Sequence, residues 1–463
     1  MKERPRAPGG DAGRLELLGG GPGHLRAHNR AAVLRSLLEG GPLSRTQLAR
    51  RLGLAHPSVG AIVAELLEAG LLAEAPPPAG PAPGTSPRRR GRQAVPLRLA
   101  PHARHAAGVR IGVDDVSVGL VDLEANTLAR GKFSISRDVG RSDPQAVIKQ
   151  VREAVRRAAQ RAGVDPRSLL GVGVSVAAWV DGARGIVRHM APLGWHDVPL
   201  GPGLGAALDL PVLVENTTRA MALAEAWFGV GREAHDLLLL HVGNVVGCAA
   251  AFGHRVHAGH RSAAGDLGHL PAWPASPPGT GDVQDAPHAQ GAPVTLEAAV
   301  SEPALRQQAA TLAAAHPESL IARWQGGTDV LATALGALEA AGREDAIATA
   351  LLRRRASRLA PVLAQLIAAY DPQVVVVTGP IAWDATRLQL RLLHQAVATH
   401  APSPPERLPP IVPTAFGPHG PVVGAASLVL QEVYSPPLAT AGTASAGAAV
   451  RERAATLSHR PAP

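Results

Sequence analysis

Residues 44–72, SRTQLARRLGLAHPSVGAIVAELLEAGLL, set the tightest limit on the fold, because they read as a helix-turn-helix. Ser44 follows Pro42 and is a candidate N-cap. Leu48 and Leu52 fall on one face of the helix it would start, and Gly53 permits the positive φ of a tight helix–helix turn. Pro57 suits the first turn of the next helix. Val59, Ile62, Val63, Leu66 and Leu67 then recur at helical spacing and give that helix a buried stripe. An earlier helix over about 29–39 supplies Val33, Leu34, Leu37 and Leu38 as a third wall. The same pattern fits an ordinary three-helix bundle. A basic hairpin-like segment, RRRGRQAVPLRL, follows it and favours a DNA-binding winged helix. His56, Ser58 and Gly60, at the exposed start of the second motif helix, are then the positions predicted to enter a major groove. These side chains are small, so Arg45 and Arg50 are expected on phosphates. Arg88, Arg89, Arg90 and Arg92 flank Gly91 and are expected to reach a narrow minor groove, although a solvated basic linker has the same composition.

Charge is placed where this requires it. The chain of 463 residues carries a formal net charge of +9, but Lys appears only at Lys2, Lys132 and Lys149, so an Arg-rich composition alone is weak evidence. Residues 1–100 hold fifteen Lys and Arg against seven Asp and Glu, and the remaining 363 are nearly balanced at 31 against 30. The excess therefore sits with the helix-turn-helix. A single cysteine, Cys248, excludes a disulfide framework and a Cys-rich zinc site. No apolar run is long enough to span a bilayer and no leader pattern is present, so a cytoplasmic protein without a membrane partner is expected.

Punctuation divides the rest. Residues 1–22 are Gly- and Arg-rich and are predicted to be disordered, with the winged helix over 23–100 and a Pro/Gly loop at 76–87 inside it. Beyond Pro101 the pattern turns to α/β, with strands predicted at 106–111, 117–122, 170–176, 211–215, 237–242, 246–252 and 374–378. Helices are predicted at 144–162, 218–228 and 347–369. Short strands alternating with helices point to two α/β lobes over 104–435, with an irregular insertion at 272–293 and an unstructured Ala/Pro/Ser-rich tail at 436–463.

Several segments in order carry a more specific likeness: HNRAAVLRSLLEGGPLSRTQLARRLGL, GLVDL at 119–123, GWHDVPLGPGL at 194–204, VENTTRAMALAEAWFG at 214–229, AAGDLGHL at 263–270, VTLEAAVS at 294–301 and GPVVGAASLVL at 420–430. The chain resembles transcriptional regulators of the ROK family (repressor, open reading frame, kinase), in the xylose-repressor-like branch. The resemblance implies a winged helix ahead of a two-lobed, actin-like and ribonuclease-H-like sugar-kinase domain, with a sugar in the cleft and assembly as a homodimer or homotetramer.

Departures from the family pattern decide between regulator and enzyme. Kinase members carry Asn-Asp where this chain has Asn216-Thr217, and that Asp is the general base. A neutral hydroxyl cannot take the proton, and loss of a general base costs about 10²–10⁴ in rate. The family's Asp-x-Gly-Gly-Thr reads Arg110-Ile111-Gly112-Val113-Asp114, putting a cation where a carboxylate is expected. The second phosphate loop, Gly243 to Ala249, keeps two of the four glycines. No catalytic residue and no cofactor are therefore expected. Asn216, Asp266, His269 and Glu297 match the family's sugar-binding positions, with Asp266 one methylene shorter than the usual Glu. Thr217 and Arg219 replace family Asp and Asn and leave specificity open, and the polar set could equally survive as hydrogen-bonded loop anchors. The family's zinc cysteines are missing between His269 and Glu297, so no metal is expected; Asp282, Asp285 and His288 lack regular spacing. His254, His257 and His260 read as solvated turn residues.

Three functions remain open at this point. The first is a regulator, a repressor of a palindromic duplex operator, controlled by a sugar or sugar phosphate in a non-catalytic cleft. The second keeps DNA binding and makes the α/β part a ligand-free dimerisation or docking platform. The third is an active sugar kinase, which Thr217 and Arg110 oppose.

Overall fold

The computed structural model describes residues 22–76, 95–135, 143–272, 294–401, 407–435 and 446–456. The chain opens with helix α1 (Pro22–Gly40), strand β1 (Leu43–Ser44), α2 (Arg45–Leu52), α3 (His56–Glu68), β2 (Leu72–Glu74) and β3 (Pro96–Leu99). Helix α1 starts ahead of the expected 29 because polar contacts, not apolar periodicity, extend it: Arg26 and Arg30 both pair with Glu65 of α3. Strand β3 lies between β1 and β2, antiparallel to both, which closes the wing against the helices. Arg88, Arg89, Arg90 and Arg92 lie outside the described residues.

Two lobes follow. The first runs β4 (His105–Ile111), β5 (Asp115–Asp122), β6 (Thr127–Ser134), α4 (Pro144–Ala162), β7 (Leu169–Val176), β8 (Trp179–Asp181), β9 (Ile186–Met190), β10 (Trp195–Val198), α5 (Leu200–Leu208) and β11 (Val212–Asn216). Helix α6 (Thr217–Phe228) leads to the second lobe, with β12 (Asp236–Val242), β13 (Val246–Phe252), β14 (Arg255–Val256), α7 (Leu296–Val300), α8 (Glu302–Ala315), α9 (Thr328–Ala340), α10 (Ala346–Tyr370), β15 (Val374–Thr378), α11 (Leu388–His400) and β16 (Ile411–Pro413). Helices α12 (Gly420–Tyr434) and α13 (Ala446–Thr456) end the described chain.

The two main sheets repeat one plan. Their orders are β11-β7-β4-β5-β6 and β14-β13-β12-β15-β16, each an antiparallel three-strand meander extended by two parallel strands. Val, Leu and Ile fill them: β4 and β7 bury Val109, Ile111, Val172 and Val174 against Val147, Val151 and Val155 of α4. Residues β12 Leu238 and Leu240 and β15 Val375 and Val377 pack with Leu359 and Leu363 of α10.

Helix α12 crosses the first sheet at backbone distance. A Cβ at Gly108 would overlap the Val422 carbonyl oxygen, and one at Gly173 the Ala425 carbonyl oxygen. The far half of α12 joins another core: Leu430, Val433 and Tyr434 bury with Leu223 and Trp227 of α6 and with Val33, Leu34 and Leu37 of α1. Winged helix and lobes thus share one hydrophobic cluster. The Tyr434 hydroxyl donates to the Leu123 carbonyl at 2.7 Å, fixing the end of α12 on the first lobe.

Residues 446–456 correct the expectation of an unstructured tail over 436–463. Ala is the best helix former, so this Ala-rich stretch needs only an anchor. Val450 supplies it, fully buried in the shared cluster, with Arg451 paired to Glu432 and Arg453 Nε donating to the Leu169 carbonyl at 3.2 Å.

Replacing Gly173 by Ala should lower stability by about 1–3 kcal/mol or more, because the added methyl has no space between α12 and β7. Gly60 of α3 has open space around its Cβ position, and Ala there should stabilise by about 0.5–1 kcal/mol. Thermal melts of the two variants, moving in opposite directions, check this.

Candidate functional site

Two places carry chemistry, and the first is the exposed end of α3. Ser44 caps α2 through a capping box, its Oγ accepting from the Gln47 amide at 3.3 Å while the Ser44 amide donates to Gln47 Oε1 at 2.8 Å. Gly53 ends the helix at φ +65°, as the tight turn requires. The next helix has Ala55 as its N-cap, with no side-chain cap, and Pro57 in its first turn. Its first amides and its dipole are therefore open to an anion. His56 and Ser58 are exposed around that end, Arg50 is exposed on α2, and Arg45 is half-buried beside it. Arg51 is turned the other way and pairs with Glu39 at 3.0 Å.

The second place is the junction where β11 runs into α6, at the position of the cleft that the resemblance implies. Asn216 caps α6, its Oδ1 accepting from the Thr218 and Arg219 amides at 2.9 and 3.4 Å while Nδ2 donates to the Ala178 carbonyl at 3.0 Å. Glu215 and the buried Arg219 form an ion pair across this turn at 2.6 Å, and Arg219 also donates to the Ala264 carbonyl. Thr217 is buried, and its Oγ1 makes no hydrogen bond among the described residues. Asp266 bridges to Gly247 of β13, whose Cα faces Thr218. His269 Nε2 lies 3.7 Å from Asp266 Oδ2, and both side chains are mostly exposed, at 87% and 63%. Glu297 closes the group: its Oε2 accepts from the Val246 amide at 3.0 Å and abuts Gly268. The four positions named from sequence thus stand around the start of α6 and the start of β13. Asn216 and Glu297 hold backbone; Asp266 and His269 face solvent.

Beside them, the two loops matching the family's phosphate loops are the β4–β5 and β12–β13 turns. Arg110 pairs with Asp115 at 2.9 Å, and Lys132 approaches the same carboxylate at 3.7 Å. His241 stands at the end of β12, its Nδ1 buried and unbonded among the described residues. Burial first, and then the positive charges of Arg110 and Arg355, push its pKa down to about 4, so it is neutral. Arg355 is itself buried and bonded to Glu302, Thr328, Gln389 and the Val300 carbonyl, and the Glu302 amide donates to the Gly243 carbonyl. This network braces the second turn from behind.

Cys248 is buried and its thiol is pushed up to about 12 by that burial, so it stays protonated. Among the described residues no three His, Cys, Asp or Glu side chains converge as a metal site would need. Asp282, Asp285 and His288 lie outside the described residues. No described helix is long and apolar enough to cross a membrane.

One histidine departs from expectation. His257 and His260 are exposed, but His254 is not a solvated turn residue: its ring packs edge-on against Trp227 at 5.3 Å, and its Nδ1 lies 3.1 Å from Arg35 Nη2. The Arg35 guanidinium lies 5.2 Å from the Trp227 ring centre and pairs with Glu39 at 2.6 Å. This contact between α1 and the second lobe joins residues far apart in the chain, and only the surplus of His around 254–260 hinted at it.

Comparison with known proteins agrees with this architecture. A ROK family profile matches residues 106–432, and a MarR family profile matches residues 27–80. A transcriptional regulator of Mycobacterium bovis is 30% identical over 418 residues, spanning 90% of this chain and 88% of that protein. The N-acetylglucosamine repressor of Escherichia coli O157:H7 is 24% identical over 396 residues, spanning 85% of this chain and 89% of that one. Among solved structures, a ROK family transcriptional regulator described as a homolog of the E. coli MLC protein superposes with a TM-score of 0.71 at 23% identity, over 93% of this chain and 99% of that chain. With a winged helix in front of a two-lobed domain that this profile covers almost end to end, the chain belongs to the ROK family as a DNA-binding transcriptional regulator.

Proposed function

We propose that the protein is a repressor of a palindromic operator, bound as a homodimer or homotetramer, and that a sugar or sugar derivative in the non-catalytic cleft controls it. The observation that carries this reading is helix α6. Its first residue follows Asn216 in the cleft, and its Trp227 lies under Arg35 of the DNA-binding unit. A shift between the lobes at one end of this rod is delivered to α1 at the other.

Non-catalysis is supported by two replacements: Thr217, at the position of the family's general base, cannot act as one, and Arg110, at the position of the family's carboxylate, is a cation paired with Asp115. On this reading, ATP and a sugar panel give no phosphorylated product. A second reading, the ligand-free platform, draws support from Asn216 and Glu297, which already spend their side chains on backbone. The two separate in one assay: binding to duplexes selected from a random pool by the purified protein, titrated with monosaccharides and sugar phosphates. The sensor reading expects one class to shift the affinity, with Asp266→Ala or His269→Ala abolishing the shift and leaving DNA affinity nearly intact. No shift with any sugar supports the platform.

On the DNA side, Arg45→Ala and Arg50→Ala should each weaken binding similarly on all sequences and lower the slope of log K against log salt by about 1. The half-buried His241, whose Nδ1 is enclosed, also has a pH signature. Its folded pKa lies below its ordinary 6.5, so its contribution is complete above that value and is lost as pH falls towards 4. Urea midpoints measured from pH 7 to 4.5 should fall less steeply for His241→Asn than for the parent.

A further inference from the structure

The small sheet β8–β9–β10 stands beside the start of α6, and its outer face carries rings that the account above leaves unused. Strand register sets Trp179 opposite His189, and His189 opposite His196. The register shifts between Trp179 and Val180, which releases this end of the sheet from strict alternation, and Trp179, His189 and His196 are all exposed on adjacent strands. Val180, Val187, Met190 and Trp195 of the same sheet are buried.

Trp179 is 46% exposed, although its polar edge is fixed: indole Nε1 donates to the Arg261 carbonyl at 2.7 Å, in the loop that leads to Asp266. The carbonyl of its neighbour Ala178 accepts from Asn216 Nδ2. The ring therefore borders the cleft between two of its polar positions. His189 and His196 pack at a tilt of 44° with centroids 4.7 Å apart and their Nδ1 atoms 3.3 Å apart, one donating to the other. Arg188 forks to Asp181 and Asp197 at 2.8 Å each, holding the outer strands together.

Neighbouring strands lie about 4.8 Å apart, so the row extends about 10 Å from Trp179 to His196, the span of two pyranose rings. A pyranose offers a C–H face that packs on an aromatic ring and a hydroxyl edge that imidazole nitrogens can bond. We propose that this row is a ledge extending the cleft, and that the effector is an oligosaccharide of at least two rings, one in the cleft and the next on the ledge. This inference rests on the sugar-sensor reading of the cleft.

The test is calorimetric titration of the full chain with D-glucose, D-xylose and N-acetyl-D-glucosamine, each against disaccharides containing it: maltose, cellobiose, xylobiose and chitobiose. At least one disaccharide should bind about ten-fold tighter than its own monosaccharide. That ratio should collapse towards one in Trp179→Ala, and also in His189→Ala, whose exposed side chain leaves the core untouched. Trp179→Phe keeps a ring and should keep most of the preference. Monosaccharide binding with no disaccharide preference, or a preference that survives in both alanine variants, overturns the ledge and leaves the sensor. Binding of neither class overturns both.

Discussion

Helix α12 lies closer to the first-lobe sheet than side chains would permit, and much of the molecule depends on that approach. Gly108 and Gly173 let its backbone rest on β4 and β7. Gly424 does the same on its other side, against Ala220 of α6. With both contacts made at backbone distance, neither helix can slide without a clash, and interiors packed this tightly move between discrete arrangements. Glu225 adds a polar tie: its Oε1 accepts from Thr414 Oγ1 and the Ala415 amide, binding the segment that enters α12 to α6. Burial raises the Glu225 pKa, and these hydrogen bonds offset only part of that rise.

The same pair of helices reaches the DNA-binding unit. Leu430, Val433, Tyr434 and Trp227 share a buried cluster with the apolar stripe of α1 and with Leu66, Leu71 and Leu97 of the winged helix. Arg104, buried in the connection, donates to the Ala69 and Ala103 carbonyls and fixes the exit from α3. A winged helix tied by a flexible linker would feel nothing of the cleft. This one is packed on the rods that end there, as the proposed control at a distance requires.

Local chemistry made part of this legible in sequence. The capping box at Ser44, the turn at Gly53 and the stripe through Val59, Ile62, Val63 and Leu66 depend only on near neighbours, and each element formed as its spacing predicts. The buried strands of both sheets, such as Val374–Thr378, were legible because they are continuous apolar runs. Strand β6 was not, because Thr127–Ser134 lies at a sheet edge with one face in solvent and carries few apolar residues. The Arg35–Trp227–His254 contact joins positions up to 219 residues apart, which no local pattern encodes. In the cleft, the family resemblance singled out Asn216 and Glu297, but not that each is engaged with backbone. The ring row of β8–β10 needed strand register, which three short strands joined by turns do not declare.

Winged helix and two-lobed domain should form one cooperative unit through the shared cluster, and differential scanning calorimetry of the full chain tests this most directly. A single transition with calorimetric and van't Hoff enthalpies in agreement is predicted, and Leu430→Ala or Val433→Ala should split off a separate winged-helix transition. Two resolved transitions in the parent protein, one of them insensitive to these substitutions and assignable to the winged helix, would contradict it.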